Sequence, residues 1–303
     1  MPRTTFVIIN PAAGRRRGRG RIDRYLALLR RHVPAFDHAE TRHAGHEIEV
    51  ANDALSRGYA NVIAVGGDGT WSAVADCIVK SGRRDVTLGM LPAGTGNDFG
   101  KSLGVTCERA EDVVRGIAAG CRRTVDVGRV EGRHFLNVVG LGFDIAVIDD
   151  AADFPLLKGD VLYQVCALRQ LFRFRGIPLA ISDAGSASAR RAHLMLVIAN
   201  ANYFGGSFHI APRASLEDGK LDAVSIYDAG PLARARLFSR VARGRHEGEK
   251  RVRIRQAGSF RIECGHPVRY EVDGEVCTSN GDSIEVQSVA QALDVFVPYR
   301  AGR

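Results

Sequence analysis

The chain has 303 residues, enough for one large or two ordinary domains, and its 45% hydrophobic and 25% charged content excludes the disordered and fibrous classes. No apolar run approaches the roughly 20 residues of a membrane-spanning helix, and the N-terminal apolar stretch is too short for a secretory signal. Lysine and arginine number 42 against 34 acidic residues, a net charge of +8, which suits polyphosphates, nucleic acids or an anionic membrane face.

Residues 4–120 alternate apolar β-branched runs with helix-length amphipathic stretches. Strands are predicted at Phe6–Ile9, Asn61–Val65 and Val86–Leu91, and helices at 20–31, Ala44–Arg57, Thr70–Lys80 and Glu108–Ala119. Strands separated by helices of 10–15 residues imply crossover units around a buried parallel sheet, an α/β domain over residues 1–122. Beyond residue 122 short alternating segments dominate: Thr124–Val130, His134–Val139, Leu179–Asp183, Ala192–Asn200, Leu221–Tyr227, Arg251–Arg255, Ser259–Glu263, Val268–Val272, Ser283–Val286 and Leu293–Val297. They predict a mainly antiparallel β-sandwich over residues 123–303, with helical insertions near 143–174 and 231–242 and a last strand free to return to the first domain. Residues 184–189 (AGSASA) read as a flexible loop.

Six cysteines carry no CxxC pair and no zinc spacing, so they read as reduced thiols of a cytoplasmic protein. His32, His38, His43 and His46 lack a zinc-binding HxxxH pair on one helix. The basic surplus clusters at Arg15–Arg24 and again at Arg234–Arg255.

Three glycine-rich turns each follow a strand: Asn10-Pro11-Ala12-Ala13-Gly14, Gly66-Gly67-Asp68-Gly69-Thr70, and Pro92-Ala93-Gly94-Thr95-Gly96-Asn97-Asp98-Phe99. In an open parallel sheet such turns converge at the carboxyl ends of the strands, where ligands sit. Glycine lets the main chain approach phosphate oxygens, and the helix opening near Thr70 adds N–H donors and partial positive charge. Three turns on one rim therefore predict a phosphate-binding site.

The second and third turns together resemble the diacylglycerol kinase superfamily, which includes YegS-type lipid kinases and the sphingosine and ceramide kinases. GGDGT alone is shared with NAD kinases and phosphofructokinases; PxGTGNDF is far more specific. The resemblance continues through Asn137–Asp144 (NVVGLGFD), Ala211–Asp222 and Val272-Asp273-Gly274-Glu275, and so spans nearly the whole chain. It implies an NAD kinase/phosphofructokinase-like first domain and ATP-dependent phosphorylation of a lipid hydroxyl, on diacylglycerol or a related glycerolipid or sphingoid.

Position by position, the resemblance implies that Asn10–Gly14 cradle the nucleotide. Thr41 contacts it, although a helix N-cap is an equal reading of Thr41. Gly66, Gly67, Asp68, Gly69, Thr70, Gly94, Thr95, Gly96 and Asn97 hold phosphates. Mg²⁺ suits the chemistry, with Asp68 and Asp98 facing the ATP-bound ion. A second, structural Mg²⁺ is implied at Asp218 with the main-chain carbonyls of Ser215 and Lys220, the bland reading being a hairpin turn. Glu275 is the implied proton acceptor and Asp68 its rival, while Asp-Gly alone reads as a hairpin. The chain departs from the family at Ser72 and Ala73, where Asn and Glu are usual, and at Gly205-Gly206-Ser207, where GGG is usual.

The acceptor class implies peripheral attachment to an anionic membrane, through the arginine clusters and through Phe172, Phe174 and Ile177 beside Arg169, Arg173 and Arg175; a packed amphipathic helix is the plain alternative. A homodimer is compatible with the sequence. An NAD kinase-like enzyme and a nucleotide-binding member with weak turnover are the rival readings. Nucleic acid is not an expected partner: no RRM-type motif or helix-turn-helix accompanies the arginines.

Overall fold

The computed structural model describes residues 4–14, 18–152, 160–206 and 208–300. The first lobe runs β1 (Thr5–Ile9), α1 (Gly18–His32), β2 (Asp37–Glu40), α2 (His46–Ser56), β3 (Asn61–Gly66), α3 (Asp68–Lys80), β4 (Thr87–Pro92), α4 (Asp98–Leu103) and α5 (Ala110–Ala118). Its strands pair in parallel in the order β4-β3-β1-β2. Buried along their whole length, β1 and β4 read as unbroken apolar runs because helices cover both faces of the sheet. Helix α1 turns Ile22, Tyr25 and Leu29 inward, and α3 buries Trp71, Val74, Ala75 and Ile78, the spacings of one helical face.

The second lobe runs β5 (Arg122–Val130), β6 (Arg133–Phe135), β7 (Val138–Gly142), α6 (Phe143–Ala152), α7 (Asp160–Arg173), β8 (Ile177–Asp183), β9 (Ser186–Ala187), β10 (Arg191–Ala199), β11 (Leu221–Tyr227), α8 (Pro231–Ala242), β12 (Val252–Ala257), β13 (Ser259–Glu263), β14 (Arg269–Val272), β15 (Glu275–Thr278) and β16 (Ser283–Phe296). Every pairing internal to this lobe is antiparallel. One apolar core, including Val139, Leu196, Phe260, Ile262 and Val286, fills the sandwich; another lies between the β10–β11 face and the helices, around Phe143, Leu194, Val197 and Leu237.

Two sequence expectations are corrected and two elements that the sequence did not announce are added. The DHAE segment forms the edge strand β2 beside β1; being polar and half-buried, it lacks the apolar run that announces a strand. Ser283–Val286 and Leu293–Val297 are parts of one strand, β16, broken by a bulge where Gln291 takes a left-handed φ of 48°. The C-terminal part of β16 pairs in parallel with β4, and its first part pairs with β13, so this strand belongs to both lobes. Residues 184–189 close a hairpin rather than a flexible loop, since Ser182 pairs with Ala187 and Asp183 with Ser186. Helix α4 follows the third glycine turn directly and was not legible among those turn residues.

Candidate active site

Because β1, β3 and β4 are neighbours and parallel, their carboxyl ends deliver all three glycine turns to one rim. The main-chain N–H of Asn10 donates to the Val65 carbonyl (2.9 Å), and its Nδ2 donates to Thr70 Oγ1 (2.9 Å), tying the first turn to the second. Ala12 N–H returns to Asn10 Oδ1 (3.0 Å), leaving Pro11 and Ala12 exposed at the tip. Ala93 and Gly94 both donate to the Gly66 carbonyl (2.8 and 3.2 Å), tying the third turn to the second.

The contacts are close enough to require glycine. A Cβ on Gly14, whose φ is +71°, would lie 2.0 Å from the Ala93 carbonyl oxygen; one on Gly94 would lie 2.6 Å from Gly67 Cα. Behind the third turn, Arg21 Nη1 donates to the Gly94 carbonyl (3.1 Å) and Tyr25 Oη to the Pro92 carbonyl (2.9 Å). The sequence marked Arg21 only as surface charge. Helix α3 opens at Asp68 with Gly67 as N-cap, so its first N–H groups lack intrahelical partners and face the rim. Thr95 is exposed, and Asn97 sits in the left-handed region with its Nδ2 on the Gly94 carbonyl (2.9 Å). Thr41 lies on the same rim, its N–H on the Ile9 carbonyl (2.8 Å). The N-cap of α2 is Gly45, without a side-chain cap, which removes the capping role for Thr41.

Opposite the rim the second lobe closes a cleft of about 300 Å³, to which Asp68, Thr95, Gly96 and Asp98 contribute from one side and Asn137, Tyr203, Gly206, Glu271 and Asp273 from the other. Its walls are acidic. Asp68 Oδ1 accepts from Phe99 N–H (3.2 Å) and Asn137 Nδ2 (3.3 Å). Burial, with the Asp98 charge adding to it, lifts the Asp68 carboxyl to about 6. Asp98 is bridged to Lys101 Nζ (2.7 Å) and accepts Gly206 N–H (2.7 Å), while Lys101 also reaches the Gly206 carbonyl. This draws the Gly205-Gly206 turn to the cleft; Ser207, with Arg15–Arg17, lies outside the described residues.

The Val272–Glu275 segment is a two-residue hairpin: Val272 pairs with Glu275, and Asp273 and Gly274 take φ of 47° and 91°, the mirror-turn geometry that suits the twist of a hairpin. The Asp273 carboxylate is buried and accepts N–H groups from Leu136 (2.7 Å), Asn137 (2.9 Å) and Val138 (3.0 Å). Glu271 is pushed upward by burial and by Asp144 beside it. Glu275 is absent from the cleft lining; its exposed carboxylate pairs with Arg133 at 2.7 Å. Buried Ser72 lies beside Asp273, and Ala73 brings no carboxylate.

In the Ser215–Lys220 loop, Asp218 Oδ1 accepts Lys220 N–H (3.0 Å), Ser215 Oγ accepts Glu217 N–H (3.3 Å), and buried Asp126 anchors Gly219 N–H (2.7 Å). Among the described residues no group of three or more His, Cys, Asp or Glu side chains gathers in metal-holding geometry, so a cation at this loop would need main-chain oxygens.

Next to the cleft, an apolar cavity of about 320 Å³ opens between α7, α8 and the sheet, lined by Phe143, Leu168, Met195, Phe204, Phe238 and Val241 among others, with Asp144 as its acid. Of the predicted interfacial residues, Phe172 is exposed, while Phe174 and Ile177 are half-buried; Phe174 packs on Phe143 and under the Arg234 guanidinium. Arg234 itself is buried, bridging Asp228 and the Leu171 and Phe174 carbonyls at 2.7 Å each, and so is not part of a surface charge patch. No disulfide joins any of the six cysteines, all of which lie among the described residues.

Residues 4–130 match the diacylglycerol kinase catalytic domain family, and residues 137–297 match the YegS C-terminal NAD kinase beta sandwich-like domain. The diacylglycerol kinase of Bacillus subtilis is 27% identical over 274 residues, 89% of this chain and 88% of that protein. That of Mycobacterium tuberculosis is 27% identical over 250 residues, covering 81% and 79%. A solved structure described as a putative diacylglycerol kinase from Bacillus anthracis superposes with a TM-score of 0.77 at 22% identity, over 97% of each chain, a likeness of fold.

Proposed function

Since the chain belongs to the diacylglycerol kinase family and is an ATP-dependent lipid kinase, we propose that the cleft between its lobes is where phosphate passes from ATP to the free hydroxyl of diacylglycerol or a close relative. The carrying observation is the joining of the three glycine turns opposite an acidic wall. On this reading residues 1–122 serve the nucleotide and 123–303 the lipid, with β16 returning to the first lobe.

Residues 10–14, Thr41, the Gly66–Thr70 turn and Gly94–Asn97 surround the nucleotide, with the N-terminus of α3 facing its phosphates. Asp68 and Asp98 lie close enough for their charges to interact; such paired carboxylates favour a hard cation. They would hold the Mg²⁺ accompanying ATP, which when bound offsets charge on the phosphate oxygens. Asp218 with the Ser215 and Lys220 carbonyls would supply the all-oxygen donors that a second, structural Mg²⁺ prefers.

The acceptor oxygen attacks the γ-phosphorus, its proton passes to a carboxylate, and the bond to the β-phosphate oxygen breaks to release ADP. Glu275 is the acceptor we favour. Asp273 is committed to three N–H donors, Glu271 is buried against Asp144, which favours its protonated form, and Asp68 faces the cation. Glu275 adjoins Gly274, which lines the cleft, and must leave Arg133 to act. The apolar cavity would take acyl chain. Of the five large hydrophobic side chains exposed among the described residues, Val165, Leu168, Phe172 and Leu232 belong to α7 and α8 and Ile48 to α2, and Arg173, Arg236, Arg240 and Arg243 share α7 and α8 or their ends. That pattern supports peripheral docking on an anionic membrane; among the described residues no helix is long and apolar enough to cross one.

Incubation with labelled ATP, Mg²⁺ and a total lipid extract tests the reading. Label in a neutral lipid with a free hydroxyl supports it. Label entering NAD and no lipid would overturn it.

A further inference from the structure

We propose that Asn137 is a positioning residue for the transfer, carrying the β14–β15 turn of the second lobe to Asp68 in the first and fixing the orientation of the Asp68 carboxylate in the cleft. The inference rests on the role given to Asp68 above.

Asp273 gathers the N–H groups of Leu136, Asn137 and Val138 onto one carboxylate, and its own N–H donates to the Val138 carbonyl (3.1 Å). The Asn137 carbonyl in turn accepts Asn200 N–H (2.8 Å) and Ala201 N–H (3.2 Å). Both polar groups of the Asn137 main chain are therefore held, the residue is 4% exposed, and its side chain turns toward Asp68. Nδ2 donates to Asp68 Oδ1 (3.3 Å). The reverse amide orientation would set oxygen against a carboxylate.

Phe99 N–H, from the third glycine turn, meets the same Oδ1 (3.2 Å). Oδ1 is thus held from both lobes. Oδ2 points toward Gly96, where a Cβ would come within 3.0 Å of it. Contacts from both lobes orient the carboxylate, the Asp98 main-chain N–H adding to them, and this arrangement requires the lobes in register. The Asn137–Asp144 motif thereby gains a function that its sequence alone does not state.

The test compares Asn137→Ala, Asn137→Asp and Asp68→Asn. With Asn137→Ala, kcat falls about 10- to 100-fold, the factor for one hydrogen bond to an ionised group, while KM for ATP and lipid stays within about twofold. Asn137→Asp keeps the shape but turns an acceptor on Asp68, so its kcat falls further than that of the alanine variant. A role in packing alone predicts the opposite order, and that order overturns the proposal. So does a loss confined to KM.

A second readout needs neither nucleotide nor metal. In the apo protein the effects of Asn137→Ala and Asp68→Ala on the unfolding midpoint should fail to add, and strict additivity refutes the contact. If Asp68→Asn retains full turnover, the role of Asp68 fails; if Asp68→Asn is impaired and Asn137→Ala is not, only the present inference fails.

Discussion

Replacing Asp68 with asparagine should make the protein more stable at neutral pH while impairing it as an enzyme. Burial and the Asp98 charge raise the Asp68 carboxyl from 3.8 to about 6, a shift of about two units. At about 1.36 kcal/mol per unit this is about 3 kcal/mol of preference for the protonated form in the folded state. The sign follows from the raised value. The folded chain binds the proton more tightly than the unfolded one, so this stabilisation is complete below the unfolded value near 4 and is lost as pH rises through 6. Above 7 the native protein carries the full cost of an ionised, crowded carboxylate. Asparagine keeps an oxygen for Phe99 N–H and Asn137 Nδ2 and carries no charge at any pH. In urea titrations with EDTA and no nucleotide, Asp68→Asn should exceed the wild type by about 3 kcal/mol at pH 8 and by about half that at pH 5. An advantage identical at both pH values, or a variant less stable at pH 8, would refute the electrostatic account of the cleft.

Other perturbations probe the remaining parts. Gly94→Ala sets a methyl 2.6 Å from Gly67 Cα; separating the second and third turns should raise KM for ATP at least tenfold in steady-state assays, and an unchanged KM would dissociate the turns from the nucleotide. Glu275→Gln should lower kcat by about 10²–10⁴-fold with little effect on nucleotide affinity measured by titration; near-normal turnover would pass the base role to Asp68. Joint replacement of Phe172 and Leu232 by serine should weaken co-sedimentation with anionic vesicles and leave the melting temperature within about a degree, since both side chains are exposed. Binding equal to that of the wild type would remove α7 and α8 from the membrane face.

Much of the architecture was written locally. Parallel strands β1, β3 and β4 are unbroken apolar runs between amphipathic helices, and such periodicity survives without knowledge of the partner. The glycine turns were equally legible, because three of them follow strands of one parallel sheet, and the PxGTGNDF and GGDGT pairing carried the kinase assignment. The Asp-Gly hairpin was readable for the same reason.

What the sequence by itself determined about this protein was therefore its α/β and sandwich halves, its three glycine turns and its reaction class. Properties that depend on distant neighbours were settled only by tertiary structure. Edge strand β2 exists because β1 lies beside it, and β16 is one strand because the bulge at Gln291 keeps it continuous between lobes. Of the acids in the Val272–Glu275 turn, Asp273 became a clamp for residues 136–138 while Glu275 met Arg133. Arg234 became a buried staple. Asn137 met Asp68 across 69 positions of chain. A charge or an amide has no fixed role until folding supplies its partner and removes its water, and one-dimensional spacing carries neither.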